Sequence, residues 1–469
     1  MGAFEVQGVV EGFYGAAYTQ AEREDMLRFL GAHGYDTYYY GPKNDRQHRA
    51  RWREHYGDQA LADFASSVRV ASHAGIDFVY TLSPGLDVRY SSDEDSFAIR
   101  EKLTSLMRVG VRSFGLFLDD INPTFRHRDD GKVFGSFAHA QAQLCNEVLD
   151  WLKQERTDAS LVMCPTAYHG APPFGDYLHE LGERLSPEID VFYTGTEVCS
   201  TTIGAHEVDE FSRALGRKPL IWDNYPVNDG GMSSELHVEP IRGRAPELAG
   251  KVKGFAVNPM NQAEASKVTL HTFAAYFADP VGYDADAEWS AAIAAVAGAE
   301  HAGAFEAFAR TCRHGVLVSE PAPELARLSA DALAELRARI DRRSRSQGAR
   351  DGTGQPAARP ALAQPAIRRL LDHVGTLDEA CYALKFHLRN YALRAEILPW
   401  VEALESWLWA GRRAMELVVA SEAGEDVPRA VQRLEEPYRT ARAHHKRSGG
   451  SELQPLIELA LKAYAGVPA

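Results

Sequence analysis

"SFGLFLDDI", residues 113–121, is the stretch on which the fold turns. Its apolar run reads as a buried strand, and it ends in two adjacent carboxylates, Asp119 and Asp120. Two like charges side by side repel and shift each other's pKa unless a substrate, cation or proton lies between them. A buried strand that delivers such a pair at its end matches the C-terminal rim of a parallel barrel, where the chemistry of that fold collects.

Seven more runs of β-branched and aromatic residues flank it: 4–10, 35–41, 77–83, 160–166, 190–195, 219–224 and 254–259. Stretches such as "AEREDMLRFLGAHG" lie between them, with apolar residues at helical spacing. Glycines at 34, 75 and 110 stand where helices should close before the next strand. Eight such repeats predict a closed (β/α)8 TIM barrel rather than an open doubly wound sheet, and no GxGxxG turn follows the first strand. Beyond residue 285 the strand signal stops and Ala, Leu, Arg and Glu dominate, as in an all-α helical bundle. The expected organisation is a catalytic barrel over 1–282 and a helical domain over 283–469, with a flexible loop at 342–365, rich in Gly, Pro, Ser and Arg.

The net charge of −14, from 51 Lys and Arg against 65 Asp and Glu, argues against nucleic acid or an anionic membrane as partner. Five scattered cysteines (Cys145, Cys164, Cys199, Cys312, Cys381) lack metal-ligand spacing and read as reduced thiols. With no signal-like N-terminus and no apolar stretch of about 18 residues, the expected setting is cytoplasmic.

Polar residues gather at all eight strand ends, in "EGFYG", "GPKND", "SPGLD", the Asp119–Asp120 pair, "CPTAYHG", "TGTE", "WDNYPVND" and "NPMNQ". Amides, phenols and a single lysine, Lys43, suit a ligand rich in hydroxyls, with Tyr168 or Trp222 to stack on a sugar face. Glu11 reads either as a buried partner of Lys43 or Arg46 or as a catalytic group, and Glu197 is the rival carboxylate. His127, His169 and the pair at 444–445 lack the spacing of a metal site, so none is expected. Trp400, Leu404 and Trp407 share one helical face and read as core.

Glycoside cleavage needs an acid for the leaving oxygen and a group that traps or stabilises the cationic sugar. Neighbouring residues on one strand straddle a bond awkwardly, since alternate side chains point to opposite faces. Cleavage assisted by the substrate's own 2-acetamido group removes that difficulty, because one carboxylate orients the acetamide while the other is acid and then base. Mutual repulsion would leave one carboxyl protonated near neutral pH. This predicts a β-linked N-acetylhexosamine substrate, with Asp119 on the acetamide and Asp120 as acid/base, in an order the residues alone do not fix.

Together "GVVEGFYG", "GPKNDRQHRARWREHY", "SPGLD", "FLDDI", "FAHAQAQLCNEV", "CPTAYHG", "IWDNYPVND" and "NPMNQAEASK" resemble the catalytic barrel of glycoside hydrolase family 84, the O-GlcNAcase and bacterial β-N-acetylglucosaminidase family, over roughly residues 4 to 280. The resemblance implies a retaining exo-β-N-acetylglucosaminidase that works through an oxazoline without a cofactor or metal. It implies Asp119 and Asp120 in the roles above, Gly12 and Lys43 on the sugar hydroxyls, and Tyr168 near the acetamido oxygen. Asn224 would lie near the acetamide and Asp120, Asp229 on the C4 and C6 hydroxyls, Asn258 on C3 or C4, and Trp222 walling the N-acetyl pocket beside Cys164. Expected partners are a glycan or glycoprotein bearing N-acetylglucosamine and a second copy of the chain through the helical domain, where Trp400, Trp407 and Trp409 are candidates. The alternatives are an N-acetylhexosamine-binding protein without turnover and a hyaluronidase-like enzyme on polymers.

Overall fold

In a computed structural model the chain is described over residues 3–313, 315, 317, 323–348 and 364–465. Eight parallel strands close into one barrel in sequence order: β1 (Val6–Glu11), β2 (Thr37–Tyr40), β3 (Asp77–Leu82), β4 (Ser113–Phe117), β5 (Leu161–Cys164), β6 (Asp190–Tyr193), β7 (Leu220–Asp223) and β8 (Gly254–Val257). β8 closes on β1 with Val6 opposite Gly254 and Val9 opposite Val257. All eight expected strands are present, trimmed at most ends. Strand β4 stops at Phe117, so Asp119 and Asp120 stand beyond the ladder rather than on it.

Alternation sorts the side chains. Val10, Tyr39, Val79, Phe117, Phe192, Leu220, Trp222 and Ala256 belong to one buried cluster, which fills the barrel in layers as the fold requires. Their sequence neighbours turn outward to the helices. Glu11 follows Val10 and therefore leaves the barrel interior: it pairs with Arg23 on α1 (Gln20–Ala32) at 2.7 Å and accepts from Tyr38 Oη at 2.6 Å. This corrects the expected partner, Lys43 or Arg46, and gives Glu11 a structural use. The helix after β2 (Asp58–Ala74) does close on Gly75 with φ 74°, a conformation glycine adopts without strain.

The chain forms two compact units, Met1–Gly230 with Pro240–Trp289, and Gly231–Glu239 with Ser290–Ala469. The sequence-based split at 282–283 treats them as consecutive, whereas the chain leaves the first unit after β7 for residues 231–239 and then returns. Helices of the second unit include Pro323–Gly348, Pro365–Phe386, Tyr391–Ala423 and Val427–Ala443. Trp400, Leu404 and Trp407 are buried in it, while Trp409 is exposed. Trp400 and Trp407 are thus core, and of the three tryptophans considered for an outer surface only Trp409 is open. Of the loop expected at 342–365, residues to Gly348 finish one helix and Gln364 caps the next; the remainder lies outside the described residues. No helix among the described residues is long and apolar enough to cross a membrane.

Candidate active site

At the C-terminal rim, Gly12, Tyr14, Lys43, Asp119, Asp120, Cys164, Tyr168, Trp222, Asn224, Asp229 and Asn258 line a single pocket that opens to solvent. The alternative carboxylates Glu11 and Glu197 do not line it, whereas the nine residues expected to act on or bind the sugar all do. They come from β1, β2, β4, β5, β7, β8 and the loops that follow, so only closure of the barrel brings them together.

Asp119 continues the inward parity of Phe117 and is buried. Lys43 Nζ meets its Oδ2 at 2.5 Å, and both side chains are almost fully enclosed. The lysine also lies 5.8 Å from the Trp222 ring centroid, within reach of a cation–π contact. Asp119 Oδ1 is buried and has no hydrogen-bond partner among the described residues. An unanswered acceptor of that kind costs about 1–3 kcal/mol, which a donor on a ligand would recover.

Asp120 should point away from Asp119, as alternation dictates. It does not, because its φ is +51°, the one left-handed non-glycine conformation among the described residues. That costs about 1–2 kcal/mol for an L-residue and is less severe for Asp than for most; it turns the second carboxylate back toward the pocket. Tyr168 Oη donates to Oδ1 and Tyr14 Oη to Oδ2, each at 2.7 Å. Arg49 holds the residue's backbone carbonyl at 3.0 Å. Desolvation works to raise the Asp120 pKa, but the tyrosine bonds and the charges of Lys43 and Arg49 outweigh it and hold the carboxyl below the usual range. The expectation that repulsion leaves a protonated acid at neutral pH is therefore not met at Asp120 in the free protein, where two phenols and the Lys43 and Arg49 charges favour the anion.

Across the pocket, Asp229 Oδ2 accepts from the Tyr14 backbone N–H at 2.6 Å, and burial, then the Asp120 charge, pushes its carboxyl upward. Asn224 Oδ1 accepts from Trp222 Nε1 at 2.9 Å and from Asn258 Nδ2 at 2.8 Å, while its own Nδ2 donates to the Val198 carbonyl. It fixes the indole and Asn258 as well as lining the wall. Gly12 is required by the same indole: a Cβ there would lie 2.3 Å from Trp222 Cζ2.

Glu197 is exposed and takes no part in the pocket; its backbone closes a turn with Thr194 and Ser200. His169 is exposed, His127 contacts the Asp87 carbonyl, and His444 contacts Ser406. The described residues contain no cluster of His, Cys, Asp and Glu fit to hold a metal. Sequence reasoning did not single out Tyr14, Arg49 or Cys199, although Tyr14 and Arg49 sit inside motifs it quoted.

The family model described as beta-N-acetylglucosaminidase matches residues 7–310. Protein O-GlcNAcase of Rattus norvegicus and that of Mus musculus are each 36% identical over 275 residues, 58% of this chain and 30% of theirs, so the match spans under a third of those relatives. A solved aspartate-to-asparagine mutant of Thermobaculum terrenum O-GlcNAc hydrolase has a TM-score of 0.87 at 30% identity, covering 99% of this chain and 96% of that one.

Proposed function

The chain belongs to the beta-N-acetylglucosaminidase family, and on that premise we propose that it is a retaining exo-β-N-acetylglucosaminidase acting by substrate-assisted catalysis in its barrel unit. The observation that carries this reading is the division of labour between the two aspartates. Asp119 is ion-paired through one oxygen and has the other unanswered in the pocket, fit to accept the acetamide N–H of a bound sugar. Asp120 reaches the mouth, where the glycosidic oxygen would sit.

In the proposed sequence, Asp119 orients the acetamide and draws electron density toward its carbonyl oxygen, which attacks the anomeric carbon as the bond to the aglycone breaks. Asp120 gives its proton to the departing oxygen, and the oxazoline forms in its protonated state with its N–H still held by Asp119. Asp120 then takes a proton from water as that water opens the ring, which restores the acetamide and retains configuration. Lys43 pairs with Asp119 inside the pocket, and we assign Asp229, Asn258 and Gly12 to the sugar hydroxyls. The names of the relatives favour N-acetylglucosamine on Ser or Thr of proteins as the natural substrate. Five free cysteines are consistent with a cytoplasmic setting, and exposed apolar residues of the helical unit, Tyr382, Phe386, Tyr391 and Trp409, are the candidates for self-association.

The test is hydrolysis of aryl β-N-acetylglucosaminides with leaving groups of graded acidity by wild type, Asp119→Asn and Asp120→Asn. Asp120→Asn should be slowed mainly for poor leaving groups, and Asp119→Asn for all of them. Wild type that binds the sugar but turns over no substrate would replace the enzyme reading with a binding protein.

A further inference from the structure

Asp120 in the free protein is over-supplied with donors. Both of its oxygens accept from a phenol, Tyr168 at Oδ1 and Tyr14 at Oδ2. Burial and the Asp120 anion push both phenols upward, so they remain O–H donors at neutral pH. A protonated carboxyl oxygen is a poor acceptor and must itself donate. Asp120 can act as acid only after one phenol lets go.

The two are not equivalent. Tyr168 is 9% exposed and belongs to the buried barrel cluster. Tyr14 is 42% exposed at the mouth, on a segment flanked by Gly12 and Gly15. Its backbone is held from two sides, the N–H by Asp229 Oδ2 at 2.6 Å and the carbonyl by Asn261 Nδ2 at 3.0 Å. Its ring can therefore swing about χ1 while the main chain stays in place. The more exposed of the two phenols thus covers Oδ2, and the buried one covers Oδ1.

We propose that Tyr14 is a positioning residue that latches Asp120 through Oδ2 in the free protein and is displaced by the incoming aglycone oxygen, so that the segment from Gly12 to Gly15 senses the leaving group. This inference rests on the proposed function. The charged and titratable groups that face Asp120 are Lys43, Arg49, Asp119, Asp229, Cys164, Tyr14 and Tyr168; burial keeps the Cys164 thiol protonated. Of these, only Tyr14 is a hydrogen-bonding partner that substrate would remove.

The experiment compares Tyr14→Phe and Tyr168→Phe with wild type in the pH dependence of kcat/KM and of kcat, together with carboxyl-carbon NMR titration of Asp120 with and without a bound aryl N-acetylglucosaminide. In Tyr14→Phe the Asp120 limb of kcat/KM, and its NMR titration without ligand, should move up by about one unit, as expected for one hydrogen bond to a charged group. The kcat limb, and the titration with ligand, should stay in place, because the bond is already gone in the complex. Tyr168→Phe should move both. Equal movement of free and bound profiles in Tyr14→Phe, or movement of neither, overturns the latch. If no substrate is hydrolysed the enzyme reading falls, and the NMR comparison still decides whether ligand releases Tyr14.

Discussion

Arg49 ties the backbone carbonyl of Asp120 to the loop after β3: its Nη2 donates to that carbonyl at 3.0 Å and its Nη1 to Ser83 Oγ at 3.0 Å. The left-handed turn at Asp120 is thus braced by a buried cation rather than by neighbours in a strand. Arg49→Met removes the brace while keeping most of the packing. It should lower kcat by about tenfold or more through loss of a bond worth about 1.5–3 kcal/mol, with KM changed much less. A fall in KM-linked binding with kcat intact, read in the same aryl glycoside assay, would show that the turn holds itself.

Lys43 and Asp119 form a buried pair, and buried pairs are costly to break from one side. Lys43→Met is expected to lose about 3–5 kcal/mol in chemical denaturation. The double variant Lys43→Met with Asp119→Asn should recover much of it, since no unpaired charge is left behind. Additive losses would mean that the ion pair contributes little.

Trp222 presses on Gly12, so Gly12→Ala forces the indole off Asn224 or shifts the strand end. Overpacking of this kind costs about 1–3 kcal/mol, and sugar affinity should fall with it. Isothermal titration with N-acetylglucosamine, paired with a thermal melt, measures both. Unchanged affinity would show that the pocket wall tolerates the displacement.

Asp229 offers a pH test of opposite sign to Asp120. Its folded pKa is raised, by burial first and then by the Asp120 charge. A carboxyl raised in the fold contributes stability that is complete below its unfolded pKa and lost as pH rises through the folded value. Asp229→Asn should therefore be more stable than wild type at neutral pH and no more stable below the carboxylate range, while binding sugar less well. Melting curves across pH check it, and a gain that persists in acid would assign the effect to something other than charge.

The barrel was legible because each of its strands is a short β-branched or aromatic run set between helical stretches, a pattern strong enough to survive errors of one or two residues at the ends. The pocket followed, since strand ends of a closed barrel converge whatever the details. What escaped depends on parity and torsion. Glu11 could be assigned an outward partner only once Val10 was known to face inward. Asp120 shares a pocket with its neighbour through one φ angle that no spacing announces. Tyr14 was hidden by its surroundings, an aromatic between glycines that reads as a turn.

Residues Gly231–Glu239, between β7 and β8, belong to the helical unit. There Trp400 Nε1 and the Arg447 N–H both donate to the Ser234 carbonyl, and Arg313 pairs with Glu239. The two units are therefore interlaced along the gene rather than strung end to end. A single break after Trp289 would separate this loop from the helices that fold with it. For anyone trimming the protein to a minimal catalyst, the cut that looks natural on paper removes the walls around nine residues it meant to keep.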